Sequence, residues 1–352
     1  MSIFCEIKVT KPENEEFMPG DPVSGLIRYE VDEKIVFNKI IISLKGCGRL
    51  RVLDKQNNEQ HVHTNKEEYV SIDNVVVDEE VSLGIGEYEA KFSFKLPENI
   101  PPTFMYQNNT IYCHIKCKIY YYIRIKFFTP DLLQLPISFK KGIIVGTAFV
   151  PSLPGKPAKY YKKKKIAKLT RGKNTIRIKA AIENSVIGDC EIVRFWYEII
   201  NDTHVEIKRV KLKLVEAYAF NATRLQRVKR FNNIKGIVSR TVAVKSGGTR
   251  KIFEIIMPFD KKTLQYSKIV TRYYFVKIKV ILPLFRQNFA LNIPIEVFND
   301  IKESDRFELP RAYWEVMSDC AKSKDKVFSR DEKWTTDDEQ YIYCDDICKI
   351  KF

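Results

Sequence analysis

The chain has 352 residues, enough for two domains of ordinary size, each with its own core. Its 45% hydrophobic and 30% charged content is that of a globular protein and excludes a largely disordered one. No apolar run is long enough for a signal peptide or a membrane-spanning helix, and the net charge of +16 fits either an anionic partner or a generally lysine-rich surface.

In chain order, the first punctuation is Pro19-Gly20-Asp21, followed by a Val23 to Gly25 segment and an apolar run from Ile40 to Leu44 that ends at Gly46. The segment Asp54 to Lys66 is polar and reads as an exposed loop tip; its His61 and His63 would share one side if the backbone were extended. Gly84-Ile85-Gly86 is another turn. The clearest strand runs from Thr110 to Phe127. Ile111, Cys113, Ile115, Cys117, Ile119, Tyr121, Ile123 and Ile125 line one face, and Tyr112, His114, Lys116, Lys118, Tyr120, Tyr122, Arg124 and Lys126 the other. Such alternation predicts a long antiparallel strand with one wet face.

Pro151 to Pro157 holds three prolines and a glycine in seven residues, a short semi-rigid linker between two halves of similar length. Further alternating runs at Ile207 to Val215 and Tyr274 to Val280 predict strands in the second half. Both halves end on a proline inside an apolar run, at Pro136 and Pro294. Proline donates no ladder hydrogen bond, so both runs belong on sheet edges. The repeated order of elements suggests an internal duplication. The resulting division is a first sandwich over residues 1–150, a linker over 151–158, a second sandwich over 159–299 and a polar tail over 300–352. Residues 300–352 are mixed in charge with isolated aromatics, the composition of a disordered segment or of one docked by its rings.

Between Leu132 and Ile182 the chain has thirteen Lys or Arg and no acid, whereas seven acids fall within residues 331–346. That inversion suggests a tail that folds back on a basic face and competes with an anionic partner. The eight cysteines are scattered and no CxxC pair occurs, so they read as reduced core residues and no metal site is expected. Motifs of the GxSxG, phosphate-loop or HExxH type do not occur either, and neither enzymatic activity nor a cofactor is expected.

Several segments together resemble the arrestin-fold superfamily, in its arrestin-domain-containing or α-arrestin branch. Phe17 to Gly25 (FMPGDPVSG) is similar to the family's PGD-x-V-x-G opening. Leu83 to Pro97 (LGIGEYEAKFSFKLP), with Ile100 to Phe104 (IPPTF), resembles its G-x-Y-x-F-x-F-x-L-P…L-P-P-S-F signature. Ile178 to Ser185 (IKAAIENS) resembles its I-x-N-x-S element, and Lys268 to Pro294 its last pair of strands. The likeness covers about residues 3 to 298, in order. Most of these residues are expected to be structural: Gly20 and Asp21 for a tight turn, Gly25 where another backbone comes close, Pro101 and Pro102 to stiffen a corner.

The resemblance implies an all-β protein of two tandem seven-stranded immunoglobulin-like sandwiches with a polar C-terminal tail. It also implies a non-enzymatic cytosolic adaptor for membrane-protein cargo, acting in protein transport, endocytosis or signalling, and recruited to the plasma or endosomal membrane. Two other readings stay open: a structural subunit of a retromer-like complex, and a basic protein that binds anionic lipid without cargo. In arrestins the loop at the place of Asp54 to Lys66 engages the receptor, which makes Asp54, Lys55, Gln56, His61, His63 and Lys66 the candidate cargo contact. A second candidate, for anionic lipid or phosphate, is the run Lys156, Lys159, Lys162, Lys163, Lys164, Lys165 and Lys168, with Tyr160 and Tyr161 placed at headgroup level. Its plainer reading is a solvated linker. Many α-arrestins recruit WW-domain ubiquitin ligases through PPxY; Pro310-Arg311-Ala312-Tyr313 lacks the paired prolines, which puts ligase recruitment in doubt. No nucleic-acid module is visible, and nucleic acid is not an expected partner.

Overall fold

The computed structural model describes residues 3–56, 59–110, 113–131, 134–153, 155, 157–166, 175–188, 191–222, 227–233, 247–256, 262–298 and 342–343. The described chain is all β. In the first half run β1 (Ile3–Val9), β2 (Pro22–Val31), β3 (Ile35–Phe37), β4 (Lys39–Gln56), β5 (Glu59–Val77), β6 (Val81–Leu83), β7 (Gly86–Lys95), β8 (Phe104–Asn109), β9 (Cys113–Phe128) and β10 (Ile137–Ile143). The second half contributes β11 (Ala158–Lys165), β12 (Thr175–Ile182), β13 (Val186–Gly188), β14 (Ile192–Asn201), β15 (Arg209–Asn221), β16 (Arg227–Asn233), β17 (Gly247–Ile256), β18 (Val270–Ile281) and β19 (Phe289–Phe298). A two-residue β20 (Ile342–Tyr343) follows.

Two compact units form. One comprises Met1–Phe149 with Tyr218–Arg230 and Leu264–Arg272; the other comprises Val150–Ala217, Phe231–Thr263 and Tyr273–Phe352. In the first unit a three-stranded sheet ordered β1-β2-β7 lies with a larger sheet ordered β10-β9-β4-β5, to which β8 adds beside β9. In the second half the orders are β17-β14-β12-β11-β20 and β13-β19-β18-β15-β16. Short strands raise the number above the anticipated seven per sandwich.

The long alternating run becomes β9, and its inward series from Cys113 to Phe127 is buried throughout. These side chains meet Ile40, Ile42 and Leu44 of β4, Val23 and Ile27 of β2, and Phe92 and Phe94 of β7 in one apolar cluster. Burial of this face is the main force that holds the two sheets together. The corner before β9 is pinned by the buried Tyr121 hydroxyl, which donates to the Pro101 carbonyl at 2.6 Å. At the opening turn Gly20 has a φ of 91°, Asp21 N–H donates to Met18 O at 3.0 Å, and the Asp21 carboxylate accepts from Met18 N–H at 2.7 Å. Gly and Asp are there for the tight turn the sequence indicates.

The prolines behave differently from each other. Pro136 lies just before β10, the edge of its sheet, as expected. Pro294 lies inside β19, between β13 and β18; β13 pairs only with Glu296 to Phe298, so the side of β19 opposite β18 carries no β13 pairing at the proline. A strand need be an edge only where the missing donor falls. In the second unit Glu296 is buried, and its carboxylate accepts from the backbone of Ser152 at 2.9 Å and Leu153 at 3.0 Å and from the Ser152 hydroxyl. These bonds satisfy a buried charge and fix the segment that leads into β11.

Candidate functional site

The first candidate segment is not a loop. β4 and β5 form one long antiparallel hairpin, and its ladder runs to the pairs Asp54–His61, Lys55–Gln60 and Gln56–Glu59. Only residues 57–58 separate the strands, and they lie outside the described residues. The polar composition misleads because β5 is an edge strand whose distal side chains are largely exposed, so no apolar face marks it. Hydrogen bonding by the backbone needs no apolar side chains. The rings of His61 and His63 do share a side, with centroids 6.5 Å apart. Among the described residues no three His, Cys, Asp or Glu side chains converge as metal ligands.

The lysine run is likewise a strand rather than a linker. β11 pairs antiparallel with β12 from Ala158–Ile182 to Lys165–Thr175, and parallel with β20 at Tyr160–Ile342 and Tyr161–Tyr343. The pleat divides the run between two faces. Lys159, Tyr161, Lys163 and Lys165 point one way, while Tyr160, Lys162 and Lys164 point the other. Tyr160 is wholly buried in the second core, which corrects its placement at headgroup level: it occupies an inward position of the pleat. Lys164 turns back, donates to the Gln287 carbonyl, and lies 5.8 Å from the Phe289 ring centroid. Lys156 and Lys168 lie outside the described residues, as does the tail apart from β20.

The structure also brings together cations that sequence reading did not single out. On the outer face of the β10-β9-β4-β5 sheet, Tyr120 and Tyr122 stack at 5.9 Å. Lys118 lies 5.1 Å and Arg49 5.9 Å from the Tyr120 ring centroid, and Lys140 lies 5.4 Å from that of Tyr122. Lys126 sits 5.7 Å from the Phe128 ring. Its pKa is lowered by partial burial and by Arg124 and Lys45 nearby. Asp73 on this face is held by Lys45 at 2.7 Å, and that hydrogen-bonded ammonium keeps its carboxyl below the ordinary range. The available sequence signal was the cation- and tyrosine-rich wet side of the β9 alternation, free of acids; the cross-strand register needed to assemble the rest was missing.

A second such cluster joins Lys277 and Lys279 of β18 with Lys213 of β15. Burial lowers the Lys277 pKa from the ordinary 10.5, and repulsion from Lys279 and Lys213 adds to it. The protonated form is the penalised one. The penalty is therefore present in full at neutral pH, and stability rises with pH only across the interval between the depressed value and 10.5. Lys277→Met should raise the thermal midpoint at pH 7 by roughly 1–3 °C and flatten that alkaline rise. A scan at pH 7 and pH 10 checks both, and a lower midpoint at pH 7 counts against the assignment.

Among the described residues no helix is long and apolar enough to cross a membrane. In comparisons with known proteins, residues 5–147 match the family model for "Arrestin (or S-antigen), N-terminal domain" and residues 172–300 that for "Arrestin (or S-antigen), C-terminal domain". No curated protein matches the chain.

Proposed function

Because this chain belongs to the arrestin family, with both of its domains matched in order, we propose that it is a non-enzymatic adaptor that holds cytosolic segments of membrane proteins during transport, endocytosis or signalling. An adaptor or scaffold role in trafficking or signalling is the general property of arrestin domains. The finer reading is supported chiefly by one observation, the broad outer face of the β10-β9-β4-β5 sheet. It presents Arg49, Arg51, Lys66, Lys116, Lys118 and Lys140, all exposed, on a rigid antiparallel platform. A rigid strand array positions side chains better than a loop. Within the candidate cargo segment, Asp54 to Lys66, Thr64 and Lys66 lie on this face, opposite Arg51 and Arg49.

On this reading the protein works in the cytoplasm and reaches the plasma or endosomal membrane with its cargo. The lysines of β11 are a weaker lipid contact than a continuous run, since Lys162 and Lys164 leave the face that carries Lys159, Lys163 and Lys165. Proximity labelling with the full chain in cells should enrich transporters and receptors over soluble proteins. Recovery of one fixed stoichiometric soluble complex instead would favour the retromer-like alternative and end the cargo-adaptor reading.

A further inference from the structure

Along each strand of the second unit, one series of side chains points into the core and the alternate series away from it. In β14 the inward series is Val193, Phe195, Tyr197 and Ile199, and in β12 it is Ile176, Ile178, Ala180 and Ile182. Trp196 and Ala181 belong to the outward series and are cross-strand partners. Both are nonetheless sealed, at 6% and 4% exposure, and neither belongs to any of the three apolar clusters of the described residues. Their outward neighbours differ: Ile192 and Arg194 are exposed, and Arg177, Lys179, Glu198 and Ile200 are half-buried. An indole is large and rarely covered fully even in a core, and the outer face of an antiparallel sheet is ordinarily wet. A sealed tryptophan on that face therefore calls for a cover.

We infer that the outer face of the β12–β14 pair is the docking site of the chain's own segment Phe307 to Met317, whose aromatic and aliphatic side chains cover Trp196. That segment lies outside the described residues, and composition and reach select it. It holds six large apolar side chains in eleven residues, Phe307, Leu309, Tyr313, Trp314, Val316 and Met317. Residues 318–340 hold only Val327, Phe328 and Trp334 in twice that length. The start of the segment is close enough. β19 ends at Phe298 and lies against β11, the strand next to β12. The nine residue steps from Phe298 to Phe307 span up to about 30 Å. Crossing the thickness of the sandwich takes about 10 Å, and passing from β11 over β12 to β14 about 10 Å more. The chain is also tethered to this same sheet further on, since Ile342 and Tyr343 pair with β11. The face is closed to other partners for as long as the segment stays in place. This inference goes beyond the adaptor reading and does not depend on it.

The test uses the full chain, whose three tryptophans are Trp196, Trp314 and Trp334. With Trp314→Phe and Trp334→Phe in place Trp196 is the sole emitter, and its emission should be blue-shifted and poorly quenched by acrylamide. Adding Leu309→Asp and Val316→Asp should shift the emission to the red and raise quenching severalfold, whereas adding Phe328→Asp should change neither. Unaltered quenching with Leu309→Asp and Val316→Asp overturns the inference, because the stems of lysines and arginines on the sheet itself would then be the cover. So does protection that is lost on dilution, the mark of a second copy seated on this face, and so does an equal loss with Phe328→Asp. A second readout avoids the aspartates: p-benzoylphenylalanine in place of Trp314 should photo-cross-link to peptides from β12 and β14. Cross-links that miss both strands count against the site.

Discussion

Gly25→Ala should unfold the three-stranded sheet of the first unit, at a cost of about 3 kcal/mol or more. Gly25 sits in β2, the centre of the order β1-β2-β7, opposite Val9 on one side and Phe92 on the other. A Cβ there would lie 2.1 Å from the Lys8 carbonyl oxygen and 2.6 and 2.9 Å from atoms of the Phe92 ring. A ring can rotate away. A carbonyl oxygen in a ladder retreats only by breaking the β1–β2 pairing. Phe92→Leu added to Gly25→Ala should therefore restore little of the loss, because it relieves the ring and leaves the backbone clash. Urea unfolding followed by circular dichroism checks this: a midpoint for Gly25→Ala close to that of the parent would show that β1 shifts freely, and full rescue by Phe92→Leu would locate the obstruction in the ring.

Phe127→Ala should cost about 3–5 kcal/mol, the range for removal of a fully buried aromatic side chain. The ring is wholly buried, with ring centroids 5.1 Å from Tyr29, 5.3 Å from Phe37 and 6.4 Å from Phe139. It joins β2, β3, β9 and β10, so the cavity would open among four strands. The outward neighbours Lys126 and Phe128 point to the opposite face. Below its transition the variant should therefore keep the binding properties of the outer face. A midpoint shift much smaller than expected from urea unfolding would mean that the site collapses, and Phe37 would be the first side chain to examine.

These two positions show what sequence can and cannot convey. Gly25 belongs to the PGD-x-V-x-G opening, and close approach of another backbone was its expected role. The inward series of β9, with Phe127 at its end, was legible because strict alternation beside a buried sheet leaves a period-two record. Arg49 and Lys118 were different. Each is an unremarkable exposed cation in its own strand. Their opposition depends on the register of the unbroken β4–β9 ladder, between residues far apart in the chain. Polar edge strands were the other blind spot: Asp54 to Lys66 and Lys162 to Lys165 carry side chains typical of loops, and only the hydrogen-bond ladder identifies them as strands.

The charge on β11 has a consequence for the behaviour of the protein at high concentration. A strand flank left without a partner would be a template on which a second molecule could stack, the first step toward insoluble fibres. The strand meets that hazard in two ways along its length. Where its side chains are apolar or aromatic, at Tyr160 and Tyr161, β20 takes the flank. Past Tyr161, the last residue of β11 that β20 pairs with among the described residues, Lys162 to Lys165 are all cations, so an approaching copy of the same strand meets four charges of its own sign. The lysine run thereby guards the solubility of the chain, whatever else it touches.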